Sequence, residues 1–112
     1  MIMAKEEKIM AQTFETLEKY QGCSQELIEQ AVCQATDIVK GNLKDFTDFF
    51  QSPNTKQGFY WQTENVEWTT GFWTGVVWLA YELTKDDEFK KTGEVHVDSF
   101  LNRIQKKIDV NY

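Results

Sequence analysis

The sequence has 112 residues, which fits one small domain, and its 41% hydrophobic and 27% charged residues are ordinary for a soluble protein. The formal net charge is -6, and no basic stripe is present to neutralise phosphates, which argues against nucleic acid as a partner. No segment approaches the ~20 consecutive apolar residues of a membrane span, so we expect no membrane association.

The two cysteines and the first residues favour a cytoplasmic protein. Cys23 and Cys33 lie too far apart along a predicted helix to form a disulfide (~15 Å at a rise of ~1.5 Å per residue). They also lack the spacing of metal ligands, and the single histidine, His96, offers them no partner. Residues 1–11 mix Lys with Glu and contain no apolar core of a signal peptide. We therefore expect free thiols, cytoplasmic localisation, no metal site and no cofactor.

Helical periodicity dominates the first half of the chain. Apolar residues at steps of three and four predict an amphipathic helix over residues 4–20. The same periodicity predicts a second helix that begins after the N-cap Ser24 and ends near residue 50. Residues 51–67 contain proline and glycine and predict a loop, in which residues 59–61 form a brief extended piece. A loop of this length in a small domain is usually functional or else poorly ordered.

The second half of the chain predicts two further helices joined by a short link. The third begins at Thr69 or Thr70, ends near Thr84, and is apolar on nearly every side, which is typical of a helix buried all round. Asp86 and Asp87 are expected to cap the fourth. The short link predicts that these two helices pack antiparallel. The predicted fold class is therefore all-α, built from helical hairpins, and the third helix needs more covering protein than two amphipathic helices supply.

Carboxylates are the groups that sugar-processing enzymes use in pairs, and Glu64 and Glu67 lie three residues apart just ahead of the third helix. They are near enough to share a site, but the more common arrangement is a solvated turn that complements the helix dipole. Asp45 and Asp48 are expected on an exposed helix end. His96 is expected to be a hydrogen-bonded core histidine. No Ser/His/Asp or Cys/His constellation can be assembled, so no catalytic residue is assigned.

Three tryptophans stand at a five-residue spacing in and before the third helix. Trp73 and Trp78 lie inside the helix, and we expect both in the core. Trp68 stands at the start of the helix among polar residues, where an aromatic face suits stacking on a sugar ring and equally suits a packing role. Gly71 and Gly75 are four residues apart, which favours close approach of another helix or loop.

Residues 65–82 carry a family likeness. They resemble the signature of the unsaturated glucuronyl hydrolases, glycoside hydrolase family 88, which has the form Asn-x-(Asp/Glu)-Trp-Thr-x-Gly-Phe-Trp-x-Gly-x-x-Trp-Leu-x-Tyr-Glu. The likeness covers about residues 24–112, and the related unsaturated rhamnogalacturonyl hydrolases fit this stretch less well. The residues that carry it are Asn65, Glu67, Trp68, Thr69, Gly71, Phe72, Trp73, Gly75, Trp78, Leu79, Tyr81 and Glu82 within the signature, and Thr84, residues 87–89, Ser99, Phe100 and Arg103 after it.

The resemblance implies a six-hairpin (α/α)6 barrel and a hydrolase that removes a 4,5-unsaturated uronic acid from oligosaccharides released by polysaccharide lyases. Aspartates in this family promote hydration of the vinyl-ether double bond, after which the hemiketal rearranges and the glycosidic bond breaks. The expected partner is therefore an unsaturated uronic-acid oligosaccharide derived from glycosaminoglycans. The resemblance assigns Trp68 to stacking on the substrate and Glu67 to shaping the pocket.

The two catalytic aspartates of the family match no residue of this sequence, because the first is expected just after Tyr112 and the second much further on. We therefore expect residues 1–112 to be a single truncated piece, the first two hairpins of a barrel, and to be inactive alone. Such a piece exposes apolar surface and is expected to self-associate or to be only marginally stable. Two other hypotheses stay open. One is a non-catalytic helical module that binds an acidic sugar or a protein, and the other is a helical oligomer whose tryptophans are all in the core.

Overall fold

The structure, a computed structural model, describes residues 22–110 and shows three helices and a two-stranded sheet within them. The first predicted helix, residues 4–20, lies outside the described residues. None of the described helices combines the length and the apolar character needed to cross a membrane. In chain order the elements are α1 (Gln25–Asn42), β1 (Phe50–Lys56), β2 (Phe59–Thr63), α2 (Thr70–Thr84) and α3 (Asp87–Gln105).

The contacts divide the chain into two compact units, with the boundary after Cys33. In the described part of the first unit, the Ser24 Oγ accepts a hydrogen bond from the Leu27 N–H at 3.1 Å, which confirms the predicted N-cap of α1. Cys23 and Cys33 are exposed, and neither forms a disulfide within residues 22–110, in agreement with the prediction. The sheet, α2 and α3 all belong to the second unit, which begins at Gln34.

α1 ends at Asn42, well before the end predicted near residue 50. Asparagine favours a helix less than most residues, and the chain turns here, where the Phe46 N–H donates to the Asn42 carbonyl at 3.0 Å. The apolar spacing of the helix continues beyond its end, and the side chains at these positions are buried although they are not helical: Leu43, Phe46 and Phe50. The predicted helix end was wrong because turns and a strand bring these side chains into the core without a helix.

β1 and β2 form an antiparallel hairpin in the segment predicted to be a loop. Gln57 and Gly58 make its two-residue connection with φ values of 52° and 82°, and left-handed backbone at both positions is typical of a type I′ turn. The register shifts between Gln51 and Thr55, around Pro53, which has no N–H to donate. The predicted extended piece is part of β2, and the all-α prediction holds only in part, because this small sheet accompanies the three helices.

α2 and α3 pack antiparallel, as the short link predicts. The Thr74 Oγ1 lies 3.0 Å from the Nδ1 of His96, and one turn further along α2 the Trp78 ring lies against Gly93, earlier in α3. Trp78 is half-buried at this contact, so the expectation of a core position holds only in part. The close approach predicted at Gly75 is not seen in the described part of the chain, where a Cβ at that position meets no atom within 4 Å.

The bounds of these two helices follow local signals. α2 begins at Thr70 and ends at Thr84, as predicted. Asp86 is the N-cap of α3, because its Oδ1 accepts a hydrogen bond from the Glu88 N–H at 3.0 Å, and Asp87 opens the first turn. The capping role expected of Asp86 is confirmed.

The core of the second unit lies where α2, α3 and the segment before the sheet meet. Val77 and Phe50 are buried at 0% and 1% exposure. Trp73 is buried as well, and its Nε1 donates a hydrogen bond to the Phe46 carbonyl at 2.7 Å. The core position predicted for Trp73 is therefore confirmed, and its one polar atom is satisfied there.

One face of α2 is exposed in the described part of the chain, as expected for an apolar helix that needs more covering protein than its neighbouring helices supply. Phe72 and Leu79 are 69% and 55% exposed. Together with Val76 and Leu83 they recur at steps of three and four residues along the helix and form what we call the apolar strip. α3 adds four more exposed large apolar side chains, those of Val95, Val97, Leu101 and Ile104.

Candidate functional site

A groove of about 640 Å³ lies at the N-terminal end of α2. Glu67 and Trp68, the two residues assigned to a site from the sequence, are neighbours in its wall. Gly71 of α2 and Phe100 and Arg103 of α3 form another part of the wall. Small-molecule sites usually have volumes of about 300–1,000 Å³, so the groove is large enough for a sugar. It is the candidate functional site.

Trp68 gives the groove an accessible aromatic ring. The side chain is 78% exposed, and its ring meets that of Phe72 in an edge-to-face arrangement, with centroids 6.2 Å apart and an interplanar angle of 83°. A flat ring that stays accessible beside hydrogen-bonding groups meets the requirement for stacking on a sugar.

Arg103 connects the segment before α2 to the turn after α3. Its side chain is buried and donates six hydrogen bonds within residues 22–110, where it forms no ion pair. Two of its acceptors are joined to each other, since the Thr70 Oγ1 donates to the Asn65 Oδ1 at 2.6 Å. The six acceptors are the Asn65 Oδ1 at 3.1 Å, the Val66 carbonyl at 3.3 Å, the Glu67 carbonyl at 2.7 Å, the Thr70 Oγ1 at 3.1 Å, the Ile108 carbonyl at 3.0 Å and the Asp109 carbonyl at 3.4 Å.

The N-terminus of α2 gives the groove a positively polarised end. The first turn of α2 contains no acidic residue, and Thr69 at the N-cap makes no side-chain capping bond. The Thr69 Oγ1 is buried and has no hydrogen-bond partner within residues 22–110. Because the partial positive charge at a helix N-terminus attracts anions, the groove places a region favourable to an anion next to the Trp68 ring. The carboxylate of Glu67 adds an acceptor for hydroxyl groups.

The two glutamates considered as a pair do not share the groove. Glu67 lines it, whereas Glu64 lies in a separate depression beside Asn65 and Ser99. The residues between them form a turn ahead of the helix, which was the other arrangement expected for these glutamates, since the Val66 N–H donates to the Glu64 carbonyl at 2.8 Å.

The remaining acidic residues singled out from the sequence lie away from the groove. The hydrogen bond from the Lys40 Nζ, at 2.8 Å, lowers the pKa of Asp86 and raises the pKa of Lys40. Asp45 and Asp48 are exposed as predicted, although both lie beyond the end of α1. Within residues 22–110, no three side chains of His, Cys, Asp or Glu lie close enough together to hold a metal ion.

His96 is a buried, hydrogen-bonded core residue, as predicted. Its Nε2 lies 3.1 Å from the Phe46 carbonyl, and its Nδ1 lies 3.0 Å from the Thr74 Oγ1. A carbonyl only accepts, so Nε2 carries the proton and Nδ1 accepts from Thr74. Burial lowers the pKa of His96, against the raising effects of hydrogen bonds to the backbone of Phe46 and Thr47 and of the charge of Asp48. The ring is therefore held neutral inside the packing.

Comparison with known proteins identifies relatives, although no family model matches the chain. The chain is 40% identical over 89 residues to the unsaturated chondroitin disaccharide hydrolase of Streptococcus pyogenes, a match that covers 80% of this chain and 22% of that protein. It is 36% identical over 78 residues to the unsaturated glucuronyl hydrolase of a Bacillus species, covering 70% of this chain and 21% of that protein. The chain is homologous to the unsaturated glucuronyl hydrolases.

The solved structures of unsaturated glucuronyl hydrolases share this fold. A variant of the Streptococcus agalactiae enzyme, complexed with dGlcA-GalNAc6S, matches with a TM-score of 0.74 and 36% identity over 79% of this chain and 23% of that chain. The resemblance read from residues 65–82 is thus confirmed. The chain spans only about a fifth of the length of the curated unsaturated glucuronyl hydrolases that it matches, at 22% and 21%.

Sequence reasoning gave Arg103 no role beyond its place in the likeness to unsaturated glucuronyl hydrolases. A signal was nevertheless present. Phe89, Gly93, His96, Phe100 and Arg103 recur at steps of four and three, so they share the face of α3 that packs on α2. An arginine on a packed face needs hydrogen-bond acceptors, and the backbone around the groove supplies them.

Proposed function

We propose that this chain supplies one wall of the substrate site of an unsaturated glucuronyl hydrolase, which removes 4,5-unsaturated uronic acid from lyase-generated oligosaccharides. The observation that carries the proposal is the groove in which the exposed ring of Trp68 stands beside Glu67 and the N-terminus of α2. One homologue is named for an unsaturated chondroitin disaccharide, and another was solved with dGlcA-GalNAc6S, which supports this substrate class. The proposed setting is glycosaminoglycan breakdown in the bacterial cytoplasm.

Each part of the groove has a function in this proposal. Trp68 stacks on the apolar face of the sugar ring. The positive end of α2 attracts the uronic carboxylate. Glu67 accepts hydrogen bonds from sugar hydroxyls and shapes the pocket. Arg103 is not assigned to the carboxylate, because its own N–H groups already have acceptors in the protein.

The chemical step is assigned to residues outside this sequence. The reaction that the resemblance implies needs two aspartates to hydrate the vinyl-ether double bond, and we expect both of them outside residues 1–112. We therefore expect no turnover by the chain alone. The apolar strip supports a place in a larger (α/α)6 barrel, of which residues 1–112 form the first two hairpins, because a strip with Phe72 at 69% exposure needs neighbouring helices to cover it.

Titration of the purified chain with an unsaturated chondroitin disaccharide tests binding through tryptophan fluorescence. We expect the disaccharide to quench the fluorescence, and we expect Trp68→Ala to abolish this effect. Trp61→Ala is the matched control, since it removes another exposed tryptophan, at 42% exposure, that lies in β2 and outside the groove. Quenching that survives Trp68→Ala, or that is lost in Trp61→Ala alone, refutes the assignment of the groove.

Turnover is measured separately through the ultraviolet absorbance of the unsaturated bond. A steady absorbance in the presence of the purified chain is the expected result. A clear decrease, proportional to protein concentration, would show that the chain holds its own catalytic groups and would overturn the assignment of chemistry to other residues.

A non-catalytic binding module is the second candidate, and the apolar strip favours it as well. An exposed row of large apolar side chains suits a protein partner or a second copy of the chain. Sedimentation at increasing protein concentration measures self-association. The coding DNA downstream of Tyr112 separates the candidates, because a barrel remainder encoded there supports the enzyme and its absence supports the module.

A further inference from the structure

Arg103 donates hydrogen bonds to backbone carbonyls on both edges of the groove. On one edge, its Nη1 donates to the Glu67 carbonyl at 2.7 Å and its Nη2 donates to the Val66 carbonyl at 3.3 Å. On the other edge, its Nε donates to the Ile108 carbonyl at 3.0 Å and its Nη2 donates to the Asp109 carbonyl at 3.4 Å. One side chain of α3 therefore holds both edges of the groove.

The hydrogen bonds occupy every N–H of the guanidinium, which has one on Nε and two on each Nη. The two on Nη1 are shared among the Glu67 carbonyl and the side-chain oxygens of Asn65 and Thr70. Arg103 lines the groove, yet all of its donors are directed to acceptors within the protein. Its function must therefore lie in what it holds, and not in a direct bond to a ligand.

The hydrogen bond from Arg103 to the Glu67 carbonyl constrains the backbone at Trp68. This carbonyl and the N–H of Trp68 belong to one planar peptide unit, so fixing the oxygen fixes the direction in which the chain enters Trp68. The Thr70 Oγ1 donates to the Asn65 Oδ1 at 2.6 Å, and the same two oxygens accept from Arg103. The backbone is thus held before and after Trp68.

The second edge of the groove is a turn that needs support. Lys107 and Asp109 have φ values of 55° and 47°, in the left-handed region that non-glycine residues seldom adopt. Such conformations persist where surrounding contacts enforce them. Arg103 provides contacts from its backbone and its side chain, since the Arg103 carbonyl accepts from the Ile108 N–H at 3.0 Å and the guanidinium donates to the carbonyls of Ile108 and Asp109.

We propose that Arg103 is a positioning residue, which with Asn65 and Thr70 sets the orientation of the Trp68 indole in the groove. The inference rests on the proposed function, because that function gives the ring a sugar to stack on. Lysine is not an equivalent residue here, since a single ammonium cannot reach acceptors on both edges of the groove as the planar fork of arginine does.

Fluorine NMR of the chain labelled with fluorotryptophan tests the positioning without a ligand. Each of the four tryptophans contributes a resonance, and single Trp→Phe variants assign them. Arg103→Lys is expected to shift or broaden the Trp68 resonance while the resonance of the core residue Trp73 keeps its wild-type position. Thr70→Val, which removes one hydroxyl from the same cluster, is expected to do the same.

Ser99→Ala is the matched control, because Ser99 accepts from the Asn65 Nδ2 at 3.2 Å and makes no bond to the guanidinium. We expect it to leave the Trp68 resonance unchanged. The proposal is overturned if a variant with an intact Trp73 resonance also keeps the wild-type Trp68 resonance. It is also overturned if Ser99→Ala shifts the Trp68 resonance as far as Arg103→Lys does. The same holds if the resonances of Trp73 and Trp68 shift together in both Arg103→Lys and Thr70→Val.

A second measurement uses an unsaturated chondroitin disaccharide as the probe. A misoriented indole stacks less well on the sugar, so Arg103→Lys is expected to weaken binding by about tenfold, which corresponds to about 1.4 kcal/mol. Unchanged affinity in Arg103→Lys would overturn the positioning role. If the wild-type chain does not bind the disaccharide, the proposed function fails, and the fluorine resonances still decide whether Arg103 orients Trp68.

Discussion

Gly93 lets the Trp78 ring lie against α3, and replacing it tests how α2 and α3 pack. A Cβ built on Gly93 would lie 2.6 Å from Cζ2 and 2.8 Å from Nε1 of Trp78, closer than the 3.0 Å below which real Cβ contacts essentially never occur. Gly93→Ala therefore forces the indole or the helix to move. Gly75 also lies inside a helix, but a Cβ there meets no atom within 4 Å, so Gly75→Ala is the matched control.

The comparison isolates the cost of the clash. Both substitutions gain about 0.8–1.0 kcal/mol of helix propensity from replacing glycine with alanine. Only Gly93→Ala adds overpacking, which typically costs about 1–3 kcal/mol. Because the propensity gain cancels between the variants, Gly93→Ala is expected to be less stable than Gly75→Ala by about 1–3 kcal/mol. Gly75→Ala itself is expected to be more stable than the wild type by about 1 kcal/mol.

Urea unfolding followed by circular dichroism measures the free energy of unfolding of both variants, with equal slopes required for a fair comparison. Equal stability of Gly93→Ala and Gly75→Ala would refute the contact. A second comparison uses the Trp78→Leu background, in which the smaller side chain leaves room for the new methyl group. The difference between the two alanine variants should shrink there, and an unchanged difference would locate the clash elsewhere.

Burial lowers the pKa of His96 below its ordinary 6.5, so the unfolded state binds a proton at a higher pH than the folded state does. The free energy of unfolding should therefore decrease as the pH falls below 6.5, until the folded His96 also protonates. Urea unfolding across pH should show this loss, and His96→Gln should remove it. Trp73→Phe removes the donor to the Phe46 carbonyl and leaves a smaller ring, so the free energy of unfolding should fall by about 1–3 kcal/mol in the same assay. Leu79→Lys places a charge in the apolar strip, where the leucine is 55% exposed, and should reduce self-association in sedimentation without lowering stability.

Each of these has a result that would contradict it. A wild-type stability profile as flat with pH as that of His96→Gln would show that the ring is not held neutral by burial. Unchanged stability of Trp73→Phe would mean that the bond to the Phe46 carbonyl contributes little. For the strip, Glu82→Lys is the control, since it adds positive charge at an exposed position of α2 outside the strip. An equal fall in self-association in both lysine variants would show that the apolar strip is not specifically responsible.

The helices of the second unit were predictable because their signals are local. Asp86 acts as a cap through its own side chain, and the bounds of α2 from Thr70 to Thr84 follow a continuous apolar run. That run predicted that α2 needs covering protein, but not where that protein lies. The sequence of an apolar helix does not say whether the residues that cover it lie in this chain or in another part of a larger protein. Within the described residues nothing covers Phe72 and Leu79, which are exposed.

The hairpin was missed because its signals oppose one another. Pro53 and the polar residues around it argue against a strand, and the register shift between Gln51 and Thr55 accommodates the missing N–H. The residue that could have predicted the hairpin is Gly58, which occupies the second position of the two-residue turn and adopts a φ of 82° that suits glycine.

The candidate site was predictable in Trp68 and Glu67 and not in the residue that supports them. Trp68 and Glu67 stand out because an aromatic and an acid precede a helix, and the structure places both in one groove. Arg103 lies 36 positions from Glu67 in the sequence, and its hydrogen bonds go mainly to backbone carbonyls, which leave no trace in residue types. Only its step of three from Phe100 on the packed face of α3 indicated that it is buried.

The Phe46 carbonyl accepts hydrogen bonds from two helices, from the Trp73 Nε1 at 2.7 Å and from the His96 Nε2 at 3.1 Å. An oxygen of the backbone cannot be removed by exchanging a side chain, so no replacement at position 46 deletes this acceptor. Replacing either ring leaves the other donor in place. Each ring links a different helix to the segment before the sheet, so replacing Trp73 loses the bond from α2, replacing His96 loses the bond from α3, and only two replacements leave this oxygen without either donor.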